Sequence, residues 1–155
     1  MGFFKNRKKR KIEKRKQRLE SGSKFWQKYY RRKDHRTGRR MYRKKCRECP
    51  IDPNLIVFEA FQGKFYTCSP KSLFEEILNN PAYAGYRFVW SFINLPKHRY
   101  LTRNKRVTLV KKGSEKYYEV MATAKYRISN STNSVTTPVR KGQVYIQTWH
   151  GTPLK

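Results

Sequence analysis

The chain has 155 residues, room for one ordinary domain plus an appendage, and carries 38 Lys and Arg against 10 Asp and Glu, a formal net charge of +28. That excess implies a polyanionic partner: nucleic acid, an anionic membrane face or a polyphosphate polymer, among which charge alone does not choose. No apolar run is long enough to span a bilayer, no secretory signal precedes Lys5, and three cysteines, an odd number, point to a reducing cytosolic compartment.

Residues 1–49 hold 22 of the basic side chains and only 4 acidic ones. Sparse apolar residues and runs such as Arg7-Lys8-Lys9-Arg10-Lys11 predict a basic tail, helical or disordered, with no conventional core. A helix over residues 4–20 places Phe4, Ile12 and Leu19 within one arc at the α period. Such a helix can lie on an anionic membrane surface, where each Lys or Arg contributes roughly 1 kcal/mol; the plainer alternative is a solvated tail. Phe25, Trp26, Tyr29 and Tyr30 add aromatic docking groups. Gly2 does not make a myristoylation signal, because position 6 is Asn. Cys46-x-x-Cys49 lacks a second ligand pair and Cys68 is isolated, so free thiols and no metal are expected.

From Asn54 the texture changes to that of a domain over residues 50–155. Leu55 to Phe61 is a short apolar run typical of a buried strand, and Gln62-Gly63-Lys64 turns the chain. Ser69 and Pro70 predict a helix start; Leu73, Phe74, Ile77 and Leu78 form its apolar face, and Asn79-Asn80-Pro81 ends it. Strands are predicted at Tyr86–Ile93, Arg106–Val110, Lys125–Asn130 and Val144–Trp149. Ser114 caps a helix that buries Tyr117, Val120, Met121 and Ala124. Alternating strands and helices predict an α/β fold, a Rossmann-like, mostly parallel sheet. Arg103, Lys105, Arg106, Lys111 and Lys112 read either as a solvated face or as a track for a polyanion.

The last strand runs into Trp149-His150-Gly151-Thr152-Pro153. Ligands bind at the carboxyl ends of strands in open α/β sheets, and an imidazole there transfers protons near neutral pH. Gly151 lets backbone approach a ligand, Thr152 supplies a hydroxyl, Pro153 fixes the turn, and Lys155 adds a cation near any phosphate.

The run Trp149-His150-Gly151-Thr152-Pro153-Leu154-Lys155 resembles the signature of the CDP-glycerol glycerophosphotransferases, which build teichoic-acid-type polymers. Val57-Phe58-Glu59-Ala60-Phe61-Gln62-Gly63-Lys64, Ser69-Pro70-Lys71, Tyr86-Arg87-Phe88-Val89-Trp90, Lys112 to Tyr118 and Met121 to Tyr126 are similar to the family's successive elements, in order. The resemblance implies the N-terminal, acceptor-side half of a GT-B-type fold. It implies His150 as general base, with Trp149, Gly151, Thr152, Lys155 and Lys64 against substrate, and no cofactor. The implied partners are CDP-glycerol (or CDP-ribitol) and an undecaprenyl-diphosphate-linked or poly(glycerol phosphate) acceptor at the cytoplasmic face of the bacterial cell membrane. The family's nucleotide-binding half lies downstream of this motif, so the chain alone is expected to lack turnover. Ser131 to Thr137 is rich in Ser and Thr where the family carries an aromatic-containing loop. The competing reading, an RNA-binding or ribosome-associated protein, rests on charge alone; residues 50–155 carry no RNA-binding signature.

Overall fold

The computed structural model of the chain describes residues 2–149, with side chains from residue 6 onward. Its elements in order are α1 (Gly2–Glu20), α2 (Lys24–Glu48), β1 (Asp52–Glu59), α3 (Cys68–Asn79), β2 (Arg87–Phe92), β3 (Val107–Lys111), α4 (Glu115–Thr123), β4 (Ala124–Ser129) and β5 (Val144–Gln147). Short 3₁₀ turns lie at Phe61–Gly63, Pro81–Tyr83 and Pro96–Arg103. The five predicted strands are present, with ends that differ by at most three residues. They form one sheet in the order β3-β2-β1-β4-β5, and every neighbouring pair is parallel. The sheet is therefore wholly parallel, which requires a crossover after each strand.

Period-two alternation divides β1, β2 and β3 between two cores. On one face Ile56 and Phe58 meet Phe88, Trp90 and Phe92. The Trp90 ring is stacked on Phe58 at 5.3 Å and on Phe92 at 5.6 Å, and Phe74 of α3 stands edge-on to it at 5.7 Å. On the other face Leu55, Val57, Val89 and Val110 pack against Tyr117, Val120 and Met121 of α4. Ser114 caps α4 as expected, its side chain accepting the Tyr117 N–H at 3.1 Å. At α3 the expected start is off by two residues. The helix begins at Cys68, Thr67 precedes it without a side-chain cap bond, and Ser69 lies inside the first turn.

Of the stretch expected to be helical or disordered, residues 24–48 form one 25-residue helix, α2. The chain divides into two compact units after Thr37, not after Cys49 where the composition changes. The physical reason is Tyr42. It is 2% exposed, belongs to the α4-side core with Met41 and Cys46 packed beside it, and its hydroxyl donates to the Pro138 carbonyl. Lys45 adds an ion pair to Glu115 at 3.0 Å. Gly38 is required for close approach: a Cβ there would lie 2.2 Å from the Tyr118 hydroxyl.

Within the first unit, Gly22 at φ 68° turns α1 back along α2. Arg15 pairs with Asp34 at 2.6 Å, and the Arg18 guanidinium sits 4.0 Å over the Trp26 ring. The predicted helix over 4–20 is present as α1, but Ile12 of its proposed apolar arc is exposed. Among the described residues no helix is long and apolar enough to cross a membrane.

Candidate functional site at the carboxyl ends of the strands

The strand order places β2 and β3 on one side of β1, and β4 and β5 on the other. The chain's direction of travel across the sheet thus reverses between β1 and β4. Loops leaving two such strands diverge and open a crevice at their carboxyl ends. Residues 60–67 leave β1 there and residues from Asn130 leave β4.

Three contacts shape this edge. Glu59, the last residue of β1, holds its carboxylate 2.7 Å from the Lys112 ammonium and accepts the Ser91 hydroxyl at 2.8 Å. The loop after β1 then bends through Phe61 (φ 45°), Gln62 (φ 57°) and Gly63 (φ 84°). Left-handed backbone costs a non-glycine residue about 1–2 kcal/mol, so tertiary contacts must hold the bend. Gly63 supplies one, its carbonyl accepting the Ile93 N–H at 2.8 Å. Asn130 supplies another: it is 1% exposed, and its Oδ1 accepts the Phe61 N–H at 2.8 Å. The exit of β4 therefore fixes the loop after β1.

Arg127 organises the segment after β4. It is 2% exposed and its guanidinium donates to Asn133 Oδ1 at 2.7 Å and to Thr137 Oγ1 at 3.4 Å. Burial pushes its pKa below the ordinary value, opposed by the neighbouring Tyr42 and Tyr117 hydroxyls. The Ser/Thr-rich stretch 131–137 is thereby used to satisfy a buried cation. Glu59, Tyr117, Arg127, Ser129, Asn133 and Tyr145 line a cavity of about 20 Å³, room for one water molecule.

Of the sequence-predicted site residues, Lys64 and Trp149 are described. Lys64 is exposed on the loop after β1, and Trp149 is 68% exposed just beyond β5. The Thr148 N–H donates to the Ser129 carbonyl at 2.9 Å, so the segment reaching Trp149 follows the exit of β4. Both residues thus lie at the carboxyl-end side of the sheet. His150, Gly151, Thr152 and Lys155 lie outside the described residues. The predicted basic cluster is split. Arg106 precedes β3 and donates to the Tyr83 carbonyl at 2.9 Å and the Leu78 carbonyl at 2.5 Å, closing the end of α3; Lys112 follows β3 and pairs with Glu59. These two cations are structural, because partly buried acceptors claim them. Among the described residues no group of three His, Cys, Asp or Glu side chains is placed to hold a metal.

Sequence reasoning assigned no role to Glu59 or Asn130. A carboxylate ending an apolar strand and an Asn directly after another were the available signals. Their partners are 30 to 70 residues away along the chain, which no local pattern reveals.

Comparison with known proteins gives this edge its context. Residues 40–155 match the family model described as CDP-Glycerol:Poly(glycerophosphate) glycerophosphotransferase. The chain is 37% identical over 106 residues to the teichoic acid poly(glycerol phosphate) polymerase of Bacillus spizizenii, covering 68% of this chain and 26% of the relative. It is 38% identical over 109 residues to the polymerase of the same name from Staphylococcus epidermidis, covering 70% of this chain and 14% of that one. It is similar to the solved wall teichoic acid polymerase TagF, with a TM-score of 0.65 at 35% identity over 78% of this chain and 28% of that one. A histidine-to-asparagine variant of TagF soaked with CDPG gives a TM-score of 0.65 at 30% identity, covering 90% of this chain and 32% of its own. The chain spans about a quarter or less of the length of the curated relatives. The match covers the whole parallel sheet and gives no support to the RNA-binding alternative, which rested on charge. On the strength of the family match and the shared α/β fold, the chain belongs to the CDP-glycerol:poly(glycerophosphate) glycerophosphotransferase family.

Proposed function

We propose that this chain supplies the acceptor-side half of a GT-B-type transferase that moves polyol phosphate from CDP-glycerol or CDP-ribitol onto a lipid-linked or poly(glycerol phosphate) acceptor. The single observation that carries this reading is the match over residues 40–155. It includes the switch point between β1 and β4 and the Trp-His-Gly-Thr-Pro run that follows β5.

In the proposed step, His150 takes the proton from the acceptor's terminal hydroxyl. That oxygen bonds to the β-phosphorus of the donor as the bond to CMP breaks, and CMP leaves with the electron pair. Phosphoryl transfer depends chiefly on positioning and charge stabilisation, and a base within hydrogen-bond reach contributes typically about 10²–10⁴-fold. Trp149, Gly151, Thr152, Lys155 and Lys64 bind and orient the acceptor in this scheme. Turnover requires the nucleotide-binding portion of the relatives' length that this chain does not cover.

The basic first unit suits docking to the anionic cytoplasmic face of the bacterial membrane as a peripheral protein. Phe25 and Tyr29 are exposed on α2 beside Lys28, Arg32 and Arg36, which together line an open groove. Cations over an anionic bilayer with aromatic rings at the interface are a workable combination.

The decisive experiment is His150→Ala in the full-length enzyme. CMP release is expected to be abolished while CDP-glycerol still binds; near-normal turnover overturns the proposed role. Vesicle flotation tests the docking separately, and equal recovery with neutral and anionic lipids counts against it.

A further inference from the structure

Arg127 is a buried cation that no carboxylate pairs with among the described residues. It is 2% exposed, and a guanidinium does not shed its proton to escape burial as an ammonium can. Its three hydrogen bonds go to neutral oxygens: Asn133 Oδ1 at 2.7 Å, Thr137 Oγ1 at 3.4 Å and the Pro138 carbonyl at 3.5 Å. Its Nε has no partner among the described residues. Glu59 lines the same small cavity, but its two carboxylate oxygens already accept from the Lys112 ammonium and the Ser91 hydroxyl. The Glu59 and Lys112 charges cancel, and the guanidinium is left in excess. Buried charges are ordinarily paired.

The cavity beside Arg127 suits the missing partner. Val57, Met121 and Ile128 give it an apolar side, and low local polarity strengthens the attraction between opposite charges. Ser129 and Ser134 bring hydroxyl groups to its wall, and Thr132, which also lines it, is exposed, so solvent ions can reach it. Its volume of about 20 Å³ holds one particle of about the size of water, too little for a phosphate or a carboxylate. A water molecule there satisfies Nε and leaves the charge; a single-atom anion satisfies both. We propose that this cavity is a halide site, in which chloride accepts from Arg127 Nε and neutralises the guanidinium. The charge-assisted bond is of the stronger kind. Because Arg127 also holds Asn133 and Thr137, the ion steadies the connection between β4 and β5.

The test uses the chain as it stands, unfolded by heat at constant ionic strength in sodium gluconate, chloride, bromide or iodide. Halides also collect on a surface of net charge +28, but exposed cations favour the larger, weakly hydrated ions, in the order iodide, bromide, chloride. A cavity of single-atom size imposes the reverse order. Chloride is expected to stabilise most, and saturably: at about ten times its dissociation constant the folded-to-unfolded ratio rises about elevenfold. In Arg127→Met the saturable gain should vanish while the surface effect remains. Stabilisation in the order iodide, bromide, chloride overturns the proposal, as does a saturable chloride gain that persists in Arg127→Met. Equal midpoints in all four salts overturn it too, and assign the cavity to a water molecule. Should Arg127→Met fail to fold, the order of the halides on the unmodified sequence decides alone. None of these readouts depends on donor binding or CMP release, so the transferase reading stands or falls separately.

Discussion

Removing the Phe74 ring is the sharpest test of how α3 is anchored under the site. Phe74 is 2% exposed and meets Phe58 at 5.3 Å, Phe88 at 5.7 Å, Trp90 at 5.7 Å and Tyr66 at 6.3 Å. Core Phe→Ala substitutions cost about 3–5 kcal/mol. Rigid aromatic neighbours on four sides resist collapse into the space, which favours the middle of that range or above, about 4 kcal/mol. Against a whole-domain stability of about 5–15 kcal/mol, that is a drop in Tm of roughly 15 °C for a unit of this size. The internal control is Leu73→Ala, one residue earlier and 38% exposed, for which a loss under about 1 kcal/mol is expected. Urea unfolding followed by far-UV circular dichroism measures both. If the two variants lose the same stability, the assignment of α3's buried face is wrong.

Two further outcomes follow from the same geometry. Gly63→Ala places a Cβ at φ 84°, 3.2 Å from the Ser91 carbonyl oxygen and 3.4 Å from the Lys112 side chain; a loss of about 1–3 kcal/mol is expected, and unchanged urea unfolding would contradict it. Lys45→Met tests the pair with Glu115, where each partner favours the charged form of the other: the Glu115 pKa is lowered and the Lys45 pKa raised. The carboxylate's contribution is present above its unfolded pKa of about 4.3 and disappears as pH falls through the lower folded value. The ammonium's contribution is present below about 10.4 and disappears as pH rises through the higher folded value. The variant should therefore unfold more easily than the parent at neutral pH and equally at pH 2; a difference that persists at pH 2 would show that something other than the pair was removed.

The elements of residues 52–149 were legible because each reports itself locally. Leu55 to Phe58 is too apolar and branched for a loop, the Ser114 cap precedes a stripe of buried residues, and Asn80-Pro81 cannot continue a helix. For α2 the sequence left helix and disorder both open, since its mean composition is that of a solvated tail and Gly38 interrupts it. Its core residues, Met41, Tyr42 and Cys46, are too few to make a stripe. Arg106 and Lys112 were read as surface cations because neighbours in sequence are basic, whereas their partners, Leu78, Tyr83 and Glu59, come from other elements.

Composition and periodicity were thus sufficient for the class of fold and the positions of its strands, because hydrophobic burial and capping act over a few residues; the family came from the resemblance of the 149–155 run and the ordered segments upstream of it. The order β3-β2-β1-β4-β5, the recruitment of Tyr42 from a basic helix, and the meeting of Asn130 with Phe61 were decided only in three dimensions. Those features depend on which strands share hydrogen bonds and which loops diverge at one edge, and contacts across 60 residues or more leave no periodic trace in the chain that makes them.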